Sequence, residues 1–222
     1  MPHSTAQLRT SWERRKPLTS SYRAYTKTTS IRSVSKNSAM RLRLRRASIL
    51  MDVVTIRTST LMDADAVWKI LEPTIRAGET YTLARDLSRE QAVLYWYASN
   101  HETFVAEEDG EIVGCYYLRA NQQGGGSHVA NCGYMTAPWA AGRGIASAMC
   151  AHSLDRARAR GFRAMQFNIV ISTNERAVRL WQKFGFEIAG RLPEAFHHPT
   201  RGYVDAFVMY RTLYDFAPSI DN

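Results

Sequence analysis

The sequence predicts an α/β (α+β) fold: a mixed central sheet of about six to seven strands with helices on both faces. Two kinds of observation carry that reading. Short runs rich in β-branched or alternating residues recur at 53–57, 103–107, 112–119, 128–136, 164–171 and 203–211, as half-buried strands require. Between them lie helical stretches whose ends are marked by capping residues and glycines. The resulting order, β-α-α-β-β-β-α-β-α-β-β, contains no internal repeat and fits a single domain.

Each element follows from local chemistry. Val53, Val54 and Ile56 open the first strand. Thr60 followed by Asp63 makes a helix N-terminus, and Ala66, Val67, Ile70 and Leu71 then fall on one face. A loop over residues 76–81 separates this helix from a second, which Ser88 and Gln91 begin as a capping box and which continues through Ala92, Leu94, Tyr95 and Trp96. Asp109-Gly110, a pair suited to positive φ, joins the next two strands as a hairpin. Glycines at 124–126 lead to the strand at 128–136, and Pro138 and a glycine turn lead to a helix over 145–160. A helix over 174–184 follows the 164–171 strand, and Gly185-Phe186-Glu187 opens another strand. His197 and His198, near Pro193-Glu194, either border a pocket or decorate a loop.

The net charge of +9 belongs to one end of the chain. Residues 1–50 carry a charge of +11, with Glu13 their one acid, and the other residues carry −2. Nucleic acid is therefore not expected as a partner of the folded domain. The Ser-, Thr- and Arg-rich tail buries too little apolar surface to order itself. It reads as a transit peptide, a nucleic-acid-binding arm, or an upstream extension with Met51 or Met40 as the working start. The domain is expected over residues 51–215, with a short tail over 216–222. No apolar run approaches the ~20 residues of a bilayer span, so a protein of the cytoplasm is expected, or of mitochondria if the tail is a transit peptide. Cys115, Cys132 and Cys150 stand apart in apolar stretches, which predicts reduced core thiols and no metal site.

Gly142-Arg143-Gly144 lies between a strand and a helix, where backbone N–H groups converge and the helix dipole is positive. No Gly-Lys-Ser/Thr follows, which excludes a Walker loop, and no acid stands at the spacing of a dinucleotide fingerprint. The run from Thr136 and Pro138 through Ala141, Gly142, Arg143, Gly144, Ile145 and Ala146 resembles the signature of the GNAT family of N-acetyltransferases. Asn174, Ala177, Leu180, Trp181, Gly185 and Phe186 resemble that family's second signature, and the likeness spans residues 51–212.

The resemblance implies acetyl-CoA as cosubstrate, held along Met135, Thr136, Gly142, Arg143, Gly144, Ile145, Ala146, Ser147 and Asn174, between splayed fourth and fifth strands. Two departures stand out. Ala141 replaces the family's usual Arg or Gln, and Trp181 replaces a Tyr that in many members protonates the leaving thiolate. An indole N–H is no acid.

Asn131 and Asn168 sit mid-strand, where asparagine is poor and an unsatisfied buried amide costs roughly 1–3 kcal/mol. Each is either a structural amide or a site residue. With His128 and Asn174 they resemble the pattern of the fungal proline-analogue (azetidine-2-carboxylate) acetyltransferases and their bacterial relatives. By that match Asn131 holds the acceptor, Asn168 the reacting carbonyl region, and Asn174 contacts CoA. The acceptor implied is a small amine, an amino acid or cyclic amine. Tyr134 either donates to the thiolate or packs. Arg76, Glu79 and His128 are candidates for carboxylate clamp and base, or ordinary surface groups. Direct transfer in a ternary complex is expected, without an acyl-enzyme, and a homodimer is compatible with the pattern. Two other readings stay open: an acyl-CoA-binding module without turnover, and an acetylase of a protein or peptide amine.

Overall fold

A computed structural model describes residues 54–214. The basic tail expected at 1–50, the strand opening at Val53 and the tail at 216–222 lie outside the described residues. Seven strands form one sheet: β1 (Thr55–Thr58), β2 (Glu102–Glu108), β3 (Glu111–Ala120), β4 (Val129–Thr136), β5 (Ala164–Ile171), β6 (Glu187–His198) and β7 (Gly202–Thr212). The helices are α1 (Ala64–Ala77), α2 (Arg89–Trp96), α3 (Ile145–Ala159) and α4 (Glu175–Lys183). No helix of the described residues is long and apolar enough to cross a membrane.

The helix ends obey the chemistry of their sequences. Ser88 Oγ accepts from the Gln91 N–H while Gln91 Oε1 accepts from the Ser88 N–H, closing the capping box at α2. Gly78, at φ 65°, ends α1 in the left-handed conformation. Ahead of α1 the Asp63 carboxylate accepts from the Thr60 N–H at 2.8 Å and takes two bonds from Arg57, each 2.8 Å. That guanidinium holds the Asp63 carboxyl well below the usual carboxylate range. A depressed folded-state pKa stabilises above the unfolded value, and the gain fades as pH falls toward the folded one. Asp63→Asn should therefore cost about 1–2 kcal/mol at pH 7. In thermal melts that cost should shrink toward pH 3; an equal loss at both pH values would refute the ion-pair account.

The sheet order is β1-β2-β3-β4-β5-β7-β6. All neighbours are antiparallel except β4 and β5. That parallel pair has two rungs, Val129 opposite Ala164 and Ala130 opposite Met165, and then the strands part. β3 holds β4 along its length, while β5 stays with β7 through a bulge between Phe167 and Val170. The expected splay of the fourth and fifth strands is present.

Register sorts the side chains of β3 and β4 onto two faces. Tyr116 reaches His152 of α3, Tyr134 reaches Ser153, and Gly114 lies against Ile145 and Met149. The other face carries the pairs Cys115/Met135, Tyr117/Gly133 and Arg119/Asn131. Tyr117 packs there edge-on against Trp96 and Tyr95 of α2. Val67, Ile70, Leu71 and Ile75 of α1 are fully buried in the same core.

One expectation is corrected here. Pro193, Glu194, His197 and His198 belong to the continuous edge strand β6, not to a loop. An edge strand tolerates a proline, and the pairing with β7 shifts register between Leu192 and Phe196, where Glu194 takes φ 52°. His198 is buried and its Nδ1 accepts from the Thr200 N–H.

Candidate active site

The parting of β4 from β5 opens a cleft of about 430 Å³. Its walls come from the edges of both strands, the end of α1 with the loop after it, Tyr95 of α2, and Asn174, Ala177 and Trp181 at α4. Odd-numbered residues of β4 bond to β3, as Ala137 N–H to Val113 and Asn121 N–H to Val129 show at the strand's two ends. Strand alternation then turns the peptide groups of Cys132, Tyr134 and Thr136 toward the gap. The Tyr134 carbonyl confirms this direction by accepting from the Tyr81 hydroxyl at 2.7 Å.

Where the splay begins, Asn131 donates Nδ2 to the Gln166 carbonyl at 2.9 Å. This side-chain bond spans the strands just beyond their last paired rung, so the amide serves the frame as well as lining the cleft. Its Oδ1 has no partner among the described residues. Asn168 is fixed from both sides: it accepts from Gln166 Nε2 at 2.8 Å and donates to Asn121 Oδ1 at 2.7 Å. Asn174 caps α4 by accepting from the Ala177 N–H. All three asparagines line the cleft.

Tyr134 also lines it, with its ring against Phe167 and Trp181, while its hydroxyl meets Ser153 Oγ at 2.7 Å on the α3 side. Burial pushes the Tyr134, Tyr81 and Tyr117 phenols upward and the Cys132 thiol up to about 12. Among the described residues, no carboxylate or imidazole lines the cleft.

At the glycine turn, Gly142 and Gly144 take φ 84° and 85°, which favour glycine, and the space beside each is open for 4 Å. Gly144 is the N-cap of α3, and no side chain caps that helix. The first-turn N–H groups, which a helix leaves without internal partners, therefore suit an anion. Ala141 offers no side-chain donor, and the Arg143 guanidinium pairs with the buried Glu108 carboxylate at the β2–β3 hairpin. The donors that this turn offers an anion are therefore backbone amides, an arrangement that fits a pyrophosphate.

Three candidates stand apart from the cleft. Arg76 donates to the Arg85 and Leu87 carbonyls and lies over the Trp68 ring, Glu79 is exposed, and His128 pairs with the Gly125 carbonyl on the surface. Sequence reasoning passed over Tyr81, Tyr95, Tyr117 and Arg119. The alternation of β3 signals two of them, since it places Tyr117 and Arg119 on the face of Cys115.

Residues 65–186 match the family described as Acetyltransferase (GNAT) family. A structure of a GCN5-related N-acetyltransferase from Kribbella flavida is 41% identical, with a TM-score of 0.69, covering 72% of this chain and 97% of that one. A GNAT superfamily phosphinothricin acetyltransferase from Sinorhizobium meliloti, solved in complex with acetyl-CoA, shares the fold at 21% identity. Its TM-score is 0.64, with 72% of this chain and 88% of that one covered. The N-acetyltransferase aca1 of Schizosaccharomyces pombe is 26% identical over 60% of this chain and 72% of its own.

Proposed function

The chain belongs to the acetyltransferase (GNAT) family, and from that premise we propose that it moves an acetyl group from acetyl-CoA to a small amine by direct attack in a ternary complex. The observation that carries this reading is the two-rung β4–β5 pairing, which opens a cleft alongside the uncapped start of α3. Gly142 to Ser147 hold the donor's pyrophosphate through N–H groups and the helix dipole. Met135, Thr136 and Asn174 flank its arm in the gap. Peptide N–H groups of β4 at Tyr134 and Thr136 point where charge develops on the thioester oxygen. Acetyl-CoA bound to the phosphinothricin acetyltransferase of the same fold supports the choice of donor.

Asn131 Oδ1 accepts from the incoming amine, and Asn168, immobilised by Gln166 and Asn121, lies against the reacting carbonyl. The likeness to the proline-analogue branch supports both roles. With the Cys132 thiol pushed up to about 12 and no basic partner beside it, a thiolate nucleophile is disfavoured, which supports direct transfer over an acyl-enzyme. Trp181 donates no proton to the leaving thiolate, and the Tyr134 hydroxyl is engaged by Ser153, so product ammonium or water serves as acid.

Among the described residues the lining offers no carboxylate or imidazole to take up a proton, so the amine must arrive neutral. For an acceptor whose own pKa is about 9–10, kcat/KM should climb roughly tenfold per unit from pH 6 to 8. A bell with a limb near pH 6.5 would instead expose a protein base.

The decisive assay measures CoA release from acetyl-CoA across a panel of amino acids, cyclic amines, polyamines and short peptides, with Asn131→Ala as control. Release with small amines, lost in the variant, supports the proposal. Silence throughout, with acetyl-CoA still bound, would favour a binding module, and release with peptides alone would favour a peptide acetylase.

A further inference from the structure

Among the described residues, the cleft is lined by one formal charge, and no carboxylate pairs with it. Arg119, on β3, lines the cleft beside Tyr117, Asn131 and Asn168. Its Nε is sealed from solvent and has no hydrogen-bond partner. Among the described arginines that are largely buried, Arg119 alone has neither a carboxylate nor a carbonyl to bind. Arg57 holds Asp63 and Glu107, Arg76 holds two carbonyls, Arg156 holds Glu102, and Arg211 holds the Phe184 carbonyl. Arg89 holds Asp65. A guanidinium nitrogen withdrawn from water is normally matched by an acceptor, because desolvating a charged donor without one is unfavourable, and the rest of the fork is free to take an anion that enters the cleft.

Its position also defines what the anion belongs to. Arg119 stands opposite Asn131 in the β3–β4 register, on the face toward α2. This rung belongs to the hydrogen-bonded set, where facing Cα atoms are about 5.5 Å apart. Asn131 also lines the cleft, and its carbonyl oxygen has no partner among the described residues, since its one bond runs from the amide nitrogen to Gln166. A hydrogen-bond acceptor for an amine and a fork for an oxyanion thus stand side by side on neighbouring strands. The pair suits a small molecule that carries an amine and a carboxylate close together. The uncapped start of α3, which suits the donor's pyrophosphate, is a separate anion site, so Arg119 is not needed there.

We propose that Arg119 binds the carboxylate of the acceptor and makes this enzyme select α-amino or α-imino acids over amines that lack the acid. The inference rests on the small-amine reading and narrows it. Arg119 is a specificity-determining residue and takes no part in proton transfer.

The test uses the full chain and matched acceptors: proline, prolinamide and pyrrolidine, with alanine and alaninamide as an acyclic pair, each assayed at equal concentrations of neutral amine. The wild type is expected to favour each acid over its amide by at least tenfold in kcat/KM. Arg119→Gln should reduce that ratio to near one, chiefly by raising KM for the acid, and Arg119→Lys should restore part of it. Acetyl-CoA affinity, measured by calorimetry, reports whether each variant is folded. If Arg119→Gln fails to fold, the wild-type ratio decides alone: a ratio of one or below overturns the inference. A ratio that survives in a folded Arg119→Gln variant also overturns it. In either case turnover of the amides leaves the acetyltransferase reading standing. If no acceptor in either set or in the wider amine panel is turned over, the small-amine reading fails and this inference fails with it.

Discussion

Gly144→Val is expected to weaken acetyl-CoA binding by about 10- to 100-fold while leaving the fold intact. Gly144 holds φ 85° at the N-cap of α3, with open space where a side chain would stand. A β-branched residue meets no neighbour there, yet it is strained at positive φ and relaxes by rotating the turn. That rotation swings the first-turn N–H groups away from the pyrophosphate. A hydrogen bond to a charged group is worth about 1.5–3 kcal/mol, and each 1.4 kcal/mol is tenfold in affinity. Ala141 offers no donor and Arg143 is bound to Glu108, so neither side chain compensates. Calorimetric titration with acetyl-CoA, beside a thermal melt of the free protein, checks both halves. An unchanged affinity would mean that the donor's phosphates are held elsewhere.

Gly133→Ala should damage stability and turnover together, for a different reason. The backbone at Gly133 suits any residue, but an added Cβ would come within 2.6 Å of the Tyr117 ring. The ring is not free to yield. It stacks on His101 at 4.2 Å and meets Trp96 edge-on at 5.0 Å, with both Tyr117 and Trp96 buried. Overpacking of this kind costs typically 1–3 kcal/mol, or roughly 3–10 °C in Tm for a domain of this size. The displaced ring also moves the wall that lies next to Arg119 on β3, so kcat/KM should fall at least tenfold. Tyr117→Leu placed in the Gly133→Ala background should recover part of the lost stability, since the two changes share one contact. Simple additivity would show that the clash is not the cause.

What was legible in the sequence is what depends on neighbours along the chain. The Ser88–Gln91 capping box, the Asp109-Gly110 hairpin with φ 53° and 80°, and the glycine turn before α3 all stand where local chemistry placed them. The seven-stranded mixed sheet followed from their order. β6 was harder to read because Pro193 and the bulge at Glu194 break alternation, and an edge strand absorbs both. Side-chain partnerships were the least legible. The Asn131 bond to Gln166 spans 35 residues, and no local pattern reveals that one amide both braces the splay and faces the cleft. Arg76 looked like a clamp because it sat on an expected loop, yet the chain folds its own carbonyls around it. Arg119 was readable in principle, as a charge on the inward phase of an apolar strand, but a residue near a strand's end invites less scrutiny than one at its middle.

On the proposed binding mode, the two-rung pairing of β4 and β5 ties folding to metabolism. Peptide groups turned into that gap have no strand to meet, and on the proposed binding mode an amide-bearing arm of the donor takes the place of one. A cosubstrate that binds only the native state stabilises it by RT ln(1 + [L]/Kd), about 2.7 kcal/mol at a hundred times Kd. The supply of acetyl-CoA would then set how long the protein survives proteolysis as well as how fast it works, and starvation for the donor would thin the enzyme population before any signal reached it.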